Sequence, residues 1–200
     1  DSASDLPPAE AETLGVDVVP LSIRFGEEVF LDREELDVEE FYRRMASSVE
    51  LPQTAAPAPG AFQEVFRRRF AEGADAIVCV NLSSGVSATM ESSELAAREV
   101  DGDVRVVDSR SVTAGLGVMV QAAAQAAARG ASADEVVTLV EGMRDRTRVF
   151  GAIDTLENLK KGGRIGNAQA LLGSVLSIKP LIDISSGVVE EAGRQRTRKK

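Results

Sequence analysis

The chain has 200 residues, is 44% hydrophobic and carries a formal net charge of −9, with a pI near 4.7. That apolar content suffices for a real core in one large domain or two small ones, whereas the acidic balance argues against non-specific nucleic-acid binding. No histidine, no tryptophan and one cysteine, Cys79, exclude His-based nucleophiles and phosphocarriers, most zinc sites and any intrachain disulfide.

Asp1-Ser-Ala-Ser-Asp-Leu-Pro-Pro8 reads as the loop after a strand, so the first strand of the fold is expected to lie before it. Proline in a first turn predicts a helix from about Asp5 to Gly15, where glycine ends it. Leu21, Ile23 and Phe25 alternate with Ser22 and Arg24, which predicts a half-buried strand over Val16–Phe25. Gly26-Glu27 then turns the chain into Val29-Phe-Leu31 as a hairpin. Asp37-Val-Glu-Glu40 has capping-box spacing and opens a helix to about Ser47.

Leu51-Pro-Gln-Thr-Ala-Ala-Pro-Ala-Pro-Gly60 carries Thr54 among three prolines, a stiffened loop able to hold one hydroxyl in place or simply to connect two elements. Phe62, Val65, Phe66 and Phe70 follow at helical spacing as a core stripe, with Arg67, Arg68 and Arg69 as a solvated face. Ile77-Val-Cys-Val80 and Leu82 read as a buried strand opening into Ser83, Ser84, Ser87 and Thr89 ahead of a helix over about 89–100. A strand's carboxyl end followed by a helix N-terminus offers free N–H groups and partial positive charge to an anion. The same hydroxyls also serve as ordinary helix caps.

Val104–Asp108 is a further short strand, and Asp108-Ser-Arg-Ser-Val-Thr-Ala-Gly-Leu-Gly117 repeats the hydroxyl-rich transition into an Ala/Gly-rich helix. Ser132-Ala-Asp-Glu135 is a capping box followed by the apolar face Val136, Val137, Leu139, Val140 and Met143. Val149–Asp154 predicts a strand, Leu156 and Leu159 a short helix stopped by Gly162-Gly163, and Lys160, Lys161 and Arg164 a basic knuckle at its C-terminus. Ile178–Ile184 and Val188–Glu190 suggest a hairpin about Ser185-Ser-Gly187. Alternating strands and helices predict an α/β fold with a mainly parallel N-terminal sheet flanked by helices, over residues 1–148. Residues 149–200 begin a second α/β domain, expected to continue past a β-like end at Arg196-Thr-Arg-Lys-Lys200.

Taken together, Asp1-Ser2 with Asp5-Leu-Pro7, Val19-Pro20-Leu21, Leu51-Pro-x-Thr54-x-x-Pro57 with Pro59-Gly60, and Ser83-Ser-x-x-Ser87-x-Thr89 resemble the DegV family, lipid-binding proteins of bacteria. Val107-Asp-Ser109, Gly115-Leu-Gly117, Asp154-Thr-Leu156, Lys161-Gly-Gly-Arg-Ile165, Ile178-Lys-Pro180 and Arg196-Thr-Arg198 extend the resemblance along essentially the whole chain.

The resemblance implies a DegV-like two-domain fold that holds one long-chain fatty acid between its domains, with no other cofactor and no metal. Some members resemble the binding subunits of bacterial fatty acid kinase, which present the carboxylate to a separate ATP-using kinase for acyl-phosphate formation. The family's carboxylate contacts carry over onto Thr54 and Ser87, with the backbone N–H of Ala88. Thr89 and Ser84 stand beside them in the ligand loop, and Ser109 and Thr113 behind it. Two departures stand out: Thr54-Ala-Ala-Pro-Ala58 where members commonly read Thr-Ser-Gln-Pro-Ser, and Ser87-Ala88-Thr89 for Ser-Gly-Thr. Arg164, Arg196 and Arg198 form a basic region on an acidic protein, read either as a docking face for the kinase or as a solvated β edge.

Neutral hydroxyls binding a carboxylate, with acyl-chain burial supplying affinity, agree with this function on physical grounds. Catalysis is not expected: the chain has no Gly-x-x-x-x-Gly-Lys-Ser/Thr loop and no Gly-x-Ser-x-Gly elbow. The alternatives are a binding module for another small anionic ligand, a phosphate or a sugar, and a transferase. A cytoplasmic protein without membrane insertion fits the single cysteine and the lack of long apolar runs.

Overall fold

A computed structural model describes residues 1–171 and 179–195. Its centre is one strand–helix–strand unit. β4 (Ala76–Asn81) runs parallel to β5 (Asp103–Asp108), Val80 opposite Val107, with the crossover made by α4 (Thr89–Arg98). The β4–β5 pair carries helices on both faces because its side chains are apolar on both.

On one face lie α5 (Thr113–Ala128) and α6 (Ala133–Arg144), burying Leu116, Met119 and Val140 completely against Val80, Leu82 and Val107. On the other, α3 (Pro59–Ala71) and α4 close over Phe62, Phe66, Ala96 and Val19. Each large apolar side chain buried this way contributes about 1.5–3 kcal/mol.

Local signals set several boundaries. α1 (Pro8–Leu14) ends at Gly15 in the left-handed conformation, whose N–H bonds back to Ala11 and Glu12 carbonyls. The Ser132–Glu135 box caps α6 in both directions. Asp37 accepts a bond from Glu40 N at 2.8 Å to open α2 (Val38–Ser47), but Glu40 turns its carboxylate to Arg43 and Arg44, so only half of that box forms. Glycine in α5 serves close packing. A Cβ on Gly117 would sit 2.6 Å from the carbonyl of Ser4, in the 3-10 turn Ser2–Ser4, and one on Gly115 would overlap Ser111 and Val149.

β1 (Ser22–Phe25) and β2 (Glu28–Leu31) form the expected hairpin about Gly26-Glu27, and β3 (Gln53–Ala55) joins the other side of β1, giving the order β2-β1-β3. Two expectations change here. The Thr54 segment is an edge strand, with Thr54 opposite Ile23, rather than a loop. The strand expected from Val16 begins only at Ser22, since the described residues offer Val16–Leu21 no strand to pair with.

After α6 come β6 (Phe150–Ala152), α7 (Glu157–Lys161), a 3-10 turn (Gly166–Leu171), β7 (Lys179–Asp183) and β8 (Glu190–Gln195). Their antiparallel sheet β6-β7-β8 encloses its own apolar cluster, with Leu156, Ile165, Ala168, Leu171, Ile182 and Val189. The β7–β8 hairpin turns at Ser185–Gly187 as expected; Ile178 lies outside the described residues.

The expected mainly parallel sheet is corrected. Among the described residues β4–β5 is the one parallel pair, and the other strands pair antiparallel. Parallel pairing needs a crossover of a dozen or more residues, which α4 with its flanking loops supplies between β4 and β5; a two-residue turn, as between β1 and β2, forces antiparallel pairing. The α/β class itself stands. Among the described residues no helix is long and apolar enough to cross a membrane.

Arg67 and Arg68 are exposed, as the solvated face expected of them, and Arg69 is half-buried; Arg68 and Arg69 also take an ion-pair partner. Both bind the Asp17 carboxylate, Arg68 at 2.7 Å. Burial works against the charge on Asp17, yet hydrogen bonds from Arg69 and Arg68 hold its carboxyl below the usual range.

Candidate functional site

Three hydroxyl-bearing segments end at one region of the fold, and the structure gives them different work. In the loop after β4, Ser83 is fully buried, and its Oγ donates to the Gly187 carbonyl at 2.5 Å. Ser84 is engaged by Asp108: its Oγ and N donate to that carboxylate at 2.6 and 3.2 Å. Asp108 also receives the Arg110 N–H at 2.8 Å, so it orders the loops beyond β4 and β5. Ser87 lies 2.9 Å from the hydroxyl of Thr89, which is wholly buried and begins α4, and its Oγ accepts the Thr89 N–H at 3.3 Å. Thr89 therefore orients Ser87 from behind. Ala88 caps α4 without a side-chain bond of its own.

A cavity of about 1040 Å³ receives both Ser87 and Thr54. Leu21, Met45, Leu51, Leu82, Val86 and Val112 supply apolar wall from before α6, and Leu159, Ile184 and Val189 from after it. Asn158, Lys161 and Arg164 add polar groups. Arg164 donates from Nε to the Val86 carbonyl at 3.2 Å and from Nη1 to the Gly162 carbonyl at 2.6 Å, tying the α7 knuckle to the Ser87 loop.

Of the residues expected at the site, Thr54 and Ser87 are brought together on this cavity, with Arg164 on its wall. Ala88 and Ser84 line a smaller cleft of about 320 Å³ beside it, with Ser87, Met90, Glu91 and Glu94. Ser109 is fully buried and closes a tight turn with Ser111, to which it donates at 3.2 Å and from which it accepts at 3.0 Å. Thr113 is exposed at the start of α5, and its neighbour Val112 lines the cavity instead. Arg196 and Arg198 lie outside the described residues.

Sequence reading missed Asn158 as a cavity residue, Ser83 as the tie to Gly187, and Ser92. Ser92 is buried, and its Oγ donates to the Pro57 carbonyl at 2.5 Å. A hydroxyl on the inward face of a helix is the only signal Ser92 offered.

The cavity lining combines apolar side chains with hydroxyls, amides and the cations Lys161 and Arg164. Cys79 lies elsewhere, and burial pushes its thiol up to about 11, which keeps it neutral. Asp154 pairs with Lys179 at 2.8 Å. Among the described residues no group of three His, Cys, Asp or Glu is placed to hold a metal ion. A second groove, of about 670 Å³, follows β4 past Val16–Val19 and Ala123, and none of the three hydroxyl loops lines it.

A family model described as "Uncharacterised protein, DegV family" matches residues 1–200. A DegV domain-containing protein of Deinococcus radiodurans is 36% identical over 200 residues, covering 100% of this chain and 71% of the relative. A solved DegV family protein from Thermus thermophilus, described by its fatty acid binding, superposes with a TM-score of 0.90 at 39% identity, over 98% of this chain and 70% of that one. A stearic acid-binding protein from Eubacterium ventriosum gives 0.89 at 28% identity, over 99% and 70%.

Proposed function

Since the chain belongs to the DegV family, we propose that it binds a long-chain fatty acid in the cavity shared by Thr54 and Ser87, between two domains that meet near residue 148. The observation that carries this reading is one cavity of about 1040 Å³ with long apolar walls and two hydroxyls from separate loops. Solved relatives described as fatty-acid-binding proteins support it.

Hydroxyls and N–H groups accept a carboxylate without the cost of burying a full counter-charge. In this reading Thr54 and Ser87 donate to the carboxylate, Thr89 orients Ser87, and the N–H of Ala88 faces the head group. The acyl chain supplies the affinity. At about 0.8 kcal/mol per buried CH₂, fourteen to sixteen methylenes give roughly 11–13 kcal/mol before association and ordering costs. Presentation of the head group to a separate fatty acid kinase is the further step we propose. Lys161 and Arg164 then put positive charge where an anionic head and a negatively charged partner would both meet it. The same two cations favour, as a second reading, a smaller phosphate or sugar ligand, which leaves the long apolar wall without a use.

The test is extraction. Protein purified from a bacterial host should release about one fatty acid per chain to mass spectrometry. Thr54→Val and Ser87→Ala should each weaken fatty-acid binding by about 1–2 kcal/mol, the scale of a hydrogen bond to a charged group. No fatty acid above background, and no thermal shift on adding it, would refute the reading.

A further inference from the structure

The two head-group hydroxyls sit on separately built segments, so something must hold them at a fixed spacing. Ser87 stands on the rigid β4–α4 unit. Thr54 stands on β3, the edge strand of a small sheet whose helix α2 buries no residue, and its own side chain is exposed. We propose that Ser92 is the positioning residue of this site, its hydroxyl clamping the Thr54 segment to α4 through the Pro57 carbonyl. This rests on the fatty-acid reading above and adds to it a residue that never touches the ligand.

Ser92 lies one turn into α4, five residues beyond Ser87, and is 8% exposed. Pro57, buried, lies three residues beyond Thr54. The Ser92–Pro57 bond, 2.5 Å long, joins the two segments, three residues from Thr54 and five from Ser87 along the chain. Among the described residues no other hydrogen bond joins residues 51–60 to residues 82–98. Proline at 57 stiffens the step back towards Thr54, so a clamp on its carbonyl fixes more than its own position. A carboxylate bridged by two donors depends steeply on their separation, because hydrogen bonds weaken sharply outside a narrow range of distance and angle. An alcohol head group asks for one bond only and tolerates the looser spacing.

The experiment compares hexadecanoic acid with hexadecanol on delipidated protein, in wild type and in Ser92→Ala, Ser92→Cys and Ser92→Thr. In the first two variants, acid affinity should fall about tenfold while alcohol affinity stays within about twofold, the loss of one hydrogen bond in effect. Ser92→Thr keeps the hydroxyl and should restore the acid preference. Thr54→Val should cost less in the Ser92→Ala background than in wild type, as coupled sites do. If Ser92→Ala does not fold, Ser92→Cys, nearly the same shape with a poor donor, carries the same expectation. Equal weakening of acid and alcohol, which a purely structural role produces, overturns the proposal, and so does an unchanged acid preference. Wild type that binds no hexadecanoic acid overturns the fatty-acid reading and this inference with it; wild type that binds, with variants that keep its preference, overturns this inference alone.

Discussion

Ser83→Ala tests how the two walls of the cavity are joined. Ser83 is 1% exposed, and its Oγ donates at 2.5 Å to the carbonyl of Gly187, itself buried, 104 residues on in the turn between β7 and β8. It also accepts the Gly85 N–H at 3.2 Å, but Gly85 is exposed and water can replace that partner. The substitution therefore strands one buried carbonyl, at about 1–3 kcal/mol. For a protein of this size each kcal/mol lowers Tm by about 2–4 °C, so a fall of roughly 2–12 °C is expected.

The bond links the loop of Leu82, Val86 and Ser87 to the hairpin of Ile184 and Val189, all of which line the cavity. Release of bound fatty acid should accordingly quicken, about threefold to tenfold. Thermal melts with and without ligand, and a chase of labelled fatty acid, read both effects. Gly187→Ala provides an independent perturbation from the other side: φ there is +92° and a Cβ would stand 2.8 Å from Ser83 Oγ. Wild-type Tm and release rate in Ser83→Ala would show that the tie contributes nothing and that the walls are held by packing alone.

Two further outcomes are expected. Asp17→Asn should destabilise the protein at neutral pH, because the Asp17 carboxyl is held below its ordinary 3.8 by Arg69 and Arg68 against the opposing effect of burial. A depressed carboxyl stabilises fully above its unfolded pKa and loses that contribution as pH falls through the lower folded value, so the gap between wild type and Asp17→Asn in chemical denaturation should begin to narrow below about pH 3.8; a constant gap down to pH 2 would refute the pairing. Arg164→Ala should slow phosphorylation of bound fatty acid by a cognate kinase and flatten its salt dependence, since exposed charges are screened beyond roughly 8–10 Å at physiological ionic strength. Wild-type rates across a salt series would leave Arg164 as a structural clip on the Val86 and Gly162 carbonyls.

What the sequence determined alone was whatever a few neighbouring residues decide. Gly15 closing α1, the Gly26-Glu27 hairpin and the Ser132–Glu135 box are legible because their partners lie within ten residues. The Phe62 and Phe66 stripe is legible because helical period alone gathers it on one face. Family motifs pointed to Thr54 and Ser87, which one cavity does bring together.

Choices among chemically equivalent groups belonged to the tertiary structure. Ser83, Ser84 and Ser87 read alike in one loop, yet Gly187 claims the first, Asp108 the second, and only the third lines the large cavity. Thr54 became an edge strand because β1 offered a free side, and Arg68 and Arg69 pair at the surface with Asp17, some fifty positions earlier. Each of these partners lies far away in the chain. Local propensity carries no record of which distant group will arrive, and a hydroxyl or guanidinium is indifferent to its partner until packing brings one within about 3 Å.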